Sequence, residues 1–252
     1  MLVDNGVHGD SRVQKVARSA ADAGWEVVLL GKSPGGPETW QIGAAEVRLL
    51  PMPDPLLRAS ALRRHALRFL QRRPAAPVRA ASAQPAVPAG KPRGARSVAV
   101  AAARRAYRPY DHARTRFWSR MRGDAAWRRL EPALWDYEDV FGPVVDQLEP
   151  DLIHAHDFRM VGVGARAKVR AAASGRQVKL VWDAHEFLPG IKPRRDDAHW
   201  LPAHVAHERE YAPFADAVVT VSDGLAELLR VEHGLAGLPT VVLNAPVAAA
   251  SV

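Results

Sequence analysis

The residues best suited to chemistry stand in two short runs, Asp151-Leu152-Ile153-His154-Ala155-His156-Asp157 and Asp183-Ala184-His185-Glu186. Each follows or contains a β-rich apolar stretch, residues 152–155 in the first case and 178–182 before the second. In an open α/β sheet, ligands collect beyond the carboxyl ends of parallel strands, so two such tips define one expected crevice. His154 and His156 are two apart and would point to the same side of a strand. With Asp157, His185 and Glu186 they form a possible zinc-ligand set, which would imply a hydrolase. Against that set, the run lacks the further histidine at fixed spacing that metallohydrolases use, and His154 is read more simply as a core histidine. Asp157, between a strand and a helix, has the position of an ordinary amino-terminal cap.

The elements that position these tips are legible from periodicity. Residues 2–4 are a stub of strand, and Asn5-Gly6-Val7-His8-Gly9-Asp10 is a turn. Asp10 or Ser11 caps a helix whose apolar residues recur at three and four, and Gly24 stops it. Residues 25–30 and 47–50 read as buried strands, giving a β-α-β start of the length a parallel sheet needs. Gly6 and Gly9 would let backbone N–H groups approach an anion at the helix start, although the turn matches no dinucleotide or P-loop fingerprint. Further along, a helix opens near Pro132, and residues 158–173 form the crossover, with Gly162 and Gly164 permitting close packing. A helix over about 202–213 places Glu208 and Glu210 on a solvated face. Residues 216–221 are a strand, Ser222 caps helix 223–233, and residues 240–243 are a last strand.

Composition bounds the functional class. The chain has 252 residues, 48% of them hydrophobic, enough for a large core. No cysteine is present, which excludes disulfides, thiolate metal sites and cysteine nucleophiles and permits a cytoplasmic location. The sequence has neither a membrane span nor a signal-peptide pattern. The net charge of +8 is unevenly placed: residues 58–129 hold 19 Lys and Arg against 2 Asp and Glu, leaving 16 against 25 elsewhere. Within this part, residues 57–73 suggest a basic amphipathic helix, and residues 74–96, rich in Pro and Ala, cannot bury enough apolar surface to order themselves. Residues 104–122 interleave arginines with Tyr107, Tyr110, Phe117, Trp118 and Met121. An anionic membrane surface, contacted peripherally through residues 57–122, is the partner this pattern suits, beside a merely solvated insertion. No nucleic-acid module is recognisable.

The order of the pieces resembles the amino-terminal half of family 4 glycosyltransferases of the GT-B class. The resemblance rests on residues 10–13, 23–27, 150–157, 183–186, 215–222 and 241–246, which span nearly all of the chain outside the basic insertion. It implies a Rossmann-like, doubly wound parallel sheet as an acceptor-side domain over 1–56 and 123–246, interrupted by a basic, partly disordered insertion over 57–122. It also implies transfer of a sugar, with retention, from a nucleotide-sugar donor to a glycan or lipid-linked acceptor, with no metal and no separate cofactor. By the same resemblance His156 approaches the transferred sugar and Gly6 and Gly9 lie near the donor phosphates. Asp157, Asp183, His185 and Glu186 are expected on the substrate side. The chain departs from the family pattern at its end: residues 247–252 would open the linker to a donor-binding domain that is missing, its start looks clipped, and little activity is expected from the chain alone. A nucleotide-sugar epimerase and a non-catalytic membrane- or partner-binding half-domain are the competing classes.

Overall fold

The computed structural model describes residues 1–52, 95–193 and 197–245, the side chains of 95–104 excepted. The expected helix at 57–73 and the Pro/Ala-rich loop up to residue 94 lie outside the described residues.

A mixed α/β sheet organises the domain in a Rossmann-like manner. Its strands are β1 (Val28–Ser33), β2 (Glu38–Ile42), β3 (Ala45–Pro51), β4 (Leu152–His156), β5 (Lys179–Ala184), β6 (Ala217–Thr220) and β7 (Thr240–Val241). Two blocks, ordered β2-β3-β1 and β4-β5-β6-β7, are joined through Leu2, which bridges in parallel to Leu30 on one side and Ala155 on the other. The stub of strand expected at residues 2–4 is therefore the seam of the sheet. Its backbone gives Leu2 N to His154 O (2.8 Å) and accepts His156 N at Leu2 O (2.9 Å). Among the described residues every strand pairing is parallel except β2 with β3, a hairpin that periodicity does not expose.

Adjacent residues Leu29 and Leu30 enter different hydrophobic clusters, because successive strand side chains point to opposite faces. On one face α1 (Ser11–Asp22) contributes Val13 and Ala17 against Leu29 and Val47. The larger core, with Leu30, Leu180 and Trp182, packs beneath α4 (Leu134–Leu148) and α5 (Asp157–Ala173). Burial on both faces explains why the parallel strands read as nearly continuous apolar runs. The first strand begins later than its composition suggests: Trp25 is 56% exposed and precedes β1. Close approach of α5 to the sheet uses Gly164, where a Cβ would stand 2.6 Å from Leu180 Cδ1. A Cβ at Gly162 would fall on the His207 ring.

Ala95–Arg122 is a 28-residue helix, α2, so Ala95 and Arg96 open a helix instead of closing a loop. Its later turns dock on the domain through Asp111 and Thr115, which are buried, and α3 (Trp127–Leu130) follows. The helix α6 (Trp200–Tyr211) is more buried than its charged residues suggested. Glu208 is 1% exposed and accepts from His233 Nε2 at 3.0 Å, and His233 ends α7 (Asp223–His233). Glu210 binds Trp127 Nε1 at 2.6 Å and pairs with Arg128, so neither glutamate occupies a merely solvated face. Ser222 caps α7 as expected, accepting from Leu225 N.

Candidate functional site

Parallel pairing of β4 with β5 sets His156 beside Asp183 in register, which brings the two polar tips together at one end of the sheet. Asp183, 1% exposed, is the hub. Arg12, in the first turn of α1, clamps it through Nη2 to Oδ1 (2.8 Å) and Nε to Oδ2 (3.1 Å), and its Nη1 reaches Val242 O (2.8 Å). Around Oδ2 stand His156 Nδ1 at 3.3 Å, His185 Nε2 at 3.3 Å and His154 Nε2 at 3.8 Å. The rings of His154 and His156 stack at 4.4 Å, the arrangement expected for strand residues two apart.

The cluster sorts its own charges. Burial pushes the Asp183 carboxyl up, but the three imidazoles facing it and the Arg12 guanidinium outweigh it and hold the group well below the usual carboxylate range. Burial lowers His156 to about 4, so its imidazole is neutral near pH 7. His185 is also disfavoured by burial, yet Asp183 and then Asp157 raise it above the ordinary histidine value. The result is a fixed carboxylate, a fixed guanidinium and one imidazole biased toward protonation.

Asp157 differs from its expected role. The capping position belongs to His156, whose side chain makes no cap bond, and Asp157 is the first helical residue, with φ of +65°. Its Oδ1 lies 3.5 Å from His185 Nδ1, and burial raises its carboxyl to about 6. Glu186 is exposed at the tip.

An open cleft of about 910 Å³ lies over this end of the sheet, lined in part by Gly6, Gly9, Arg12, His185 and Asn244. Its turn is fixed by Asn5, which accepts from Val7 N (2.8 Å) and donates to Asp10 (2.8 Å), the residue that caps α1. The left-handed backbone of the turn falls on Val7, φ +66°, and a Cβ at Gly9 would meet nothing within 4 Å. His156 is fully buried beneath the cleft, whereas His185 lines it, as does His8 in the turn. Arg12 is the member that sequence reasoning did not single out. An arginine in the first turn of a capped helix, inside the run 10–13, was its only local signal.

His154, His156 and Asp183 offer atoms close enough together to hold a metal ion. Arg12 already engages both oxygens of Asp183, so a cation bound there would face a guanidinium across one carboxylate. The donor set fits a charge-relay cluster better than a metal centre.

Fold and site together define a Rossmann-like α/β protein with its polar cleft at the carboxyl ends of parallel strands. The sequence model of Glycosyltransferase Family 4 matches residues 93–247, which include both strand tips, and the chain belongs to that family. No curated protein matches the chain. Among solved structures, a sucrose-phosphate synthase from Thermosynechococcus elongatus is similar at 13% identity and a TM-score of 0.45, over 96% of this chain and 84% of that one.

Proposed function

We propose that this glycosyltransferase moves a sugar from a nucleotide-sugar donor to a glycan or lipid-linked acceptor, with retention at the anomeric carbon. The observation that carries the reading is the gathering of Arg12 and three histidines on Asp183 directly beneath an open cleft. Departure of a nucleoside diphosphate develops negative charge, and preorganised donors at that point stabilise the transition state. In this reading the Gly6–Gly9 turn and the amino terminus of α1 receive the diphosphate. His185, biased toward protonation, donates to the leaving oxygen or to a sugar hydroxyl. His156 lies 3.4 Å from His185 and acts as a positioning residue, holding the ring through the shared Asp183. Asp157 and the exposed Glu186 face the acceptor side, where a carboxyl near 6 accepts a proton at neutral pH.

The test reconstitutes the chain with a donor-binding GT-B domain, follows nucleoside diphosphate release from a panel of nucleotide sugars, with and without glycan and lipid-linked acceptors, and assigns the product anomer by NMR. Acceptor-dependent release with retention is expected, reduced on the order of 10²–10³ in kcat by His185→Ala. Interconversion of the donor sugar without acceptor would instead identify an epimerase. A protein that releases no diphosphate and binds neither donor nor diphosphate in calorimetry would sink the proposal.

A further inference from the structure

We infer that the outward surface of α2 docks on an anionic lipid bilayer. The helix carries three stripes, separated by the 3.6-residue period. The docked stripe is Asp111 and Thr115, with Trp118 half-buried beside them. On one flank lie Tyr110, Phe117 and Met121, spaced seven and four apart and 60%, 55% and 64% exposed. The third stripe, Arg105, His112, Arg116 and Arg120, spaced seven, four and four apart, is exposed on the far side. Among the described residues no ion pair neutralises Arg105, Arg116 or Arg120, whereas the arginines nearest the domain are engaged. Arg114 stands 3.8 Å from Asp111, and the Arg129 guanidinium lies 5.4 Å from the centre of the Trp118 ring.

Both exposed stripes require an occupant of one chemistry. A helix with aromatic and sulfur side chains on one side and uncompensated arginines on the other lies in the plane of a bilayer interface. There the apolar side chains enter the acyl boundary while the arginines reach anionic headgroups. Duplex nucleic acid would use the arginines alone and leave Phe117 and Met121 in water. No helix among the described residues is long and apolar enough to cross a membrane, so the contact is peripheral.

The docked turn ties this surface to the start of α6. Asp111 accepts from Ala198 N at 2.9 Å and pairs with His199 Nδ1 at 2.8 Å, in the segment running from the tip of β5 to α6. Resting on the transferase reading, a bilayer-bound α2 keeps the domain at the surface where a lipid-linked acceptor resides. Vesicle binding itself needs no donor, so its failure and the failure of that reading are separable.

The experiment sediments the full chain with phosphatidylcholine vesicles and with vesicles containing about 30% phosphatidylglycerol, at low and high salt. Binding confined to the anionic vesicles is expected. Phe117→Ser with Met121→Ser lowers it by roughly tenfold or more through lost apolar burial, and Arg116→Gln with Arg120→Gln lowers it by a similar factor and weakens its salt dependence. Both pairs are exposed, and unchanged thermal melting separates lost binding from lost folding. Equal binding to neutral and anionic vesicles, or full binding by the apolar double variant, would overturn the inference. A single-stranded oligonucleotide whose binding falls as steeply in the apolar variant, with vesicle binding unaffected, would reassign the surface to nucleic acid.

Discussion

Asp183 and His199 sit in two buried clusters that use the same side chains with opposite charge balance. Around Asp183, one carboxylate meets Arg12 and three histidines. Around His199, one imidazole meets Asp111 Oδ1 at 2.8 Å, Asp197 Oδ1 at 3.1 Å and Glu131 Oε2 at 3.5 Å, with Arg114 at the edge. In the first cluster the carboxyl is driven down and His156 is left neutral; in the second, burial opposes protonation of His199 but Glu131, Asp197 and Asp111 raise it nonetheless. The minority charge is fixed in the first cluster, whereas in the second the minority group, His199, is itself the one that titrates. Under the cleft this leaves a surplus of donors suited to an anion, whereas the His199 cluster serves as the lock between α2 and α6.

The largest test of that contrast is Arg12→Met, which strands a buried carboxylate and should cost about 3–5 kcal/mol in urea unfolding. Because the folded Asp183 value lies below its ordinary 3.8, its contribution is present above that value and lost only as pH falls through the folded one. The part of the Arg12→Met loss that comes from Asp183 is therefore expected to be constant between about pH 6 and 8. His199→Gln should cost about 1.5–3 kcal/mol at pH 6. The His199 value is raised above 6.5, so its contribution is present below that point and disappears as pH rises through the folded value. Wild type and variant should converge in melts run toward pH 9, and a pH-independent gap would erase the distinction between the clusters.

Asp157→Asn should go the other way, raising stability by about 2 kcal/mol at pH 8 and by little at pH 4. A carboxyl raised from 3.8 to about 6 favours the fold below its ordinary value and loses that contribution as pH rises past 6. Asparagine also tolerates φ of +65°. The same variant is expected to lose transfer activity, linking the cost in stability to function. Ser222→Ala lies outside both clusters and gives the smallest change, about 0.5–1 kcal/mol at any pH, through the lost cap to Leu225 N.

Elements with a local signature were legible in advance. The capped starts of α1 and α7, the crossover α5 with its two glycines, and the strand tips at 156 and 183 follow from turn chemistry and periodicity within a few residues. The hairpin strand β2 escaped because Glu38–Ile42 is a short edge segment with mostly exposed side chains, and its single apolar alternation, Trp40 and Ile42, is too brief to mark a strand. The burial of Glu208 escaped because its partner, His233, lies on another helix, and a glutamate without a known partner reads as solvated.

By itself the sequence determined which residues could end strands, cap helices and carry charge, since those choices depend on neighbours a few positions away. Tertiary structure alone decided that Arg12 meets Asp183 across 171 positions, that His156 is buried while His185 faces the cleft, and that Asp157 is a half-buried carboxyl on a left-handed backbone instead of a cap. The physical reason is that ionisation and access depend on the surrounding dielectric and on countercharges, which chain topology brings together from distant segments.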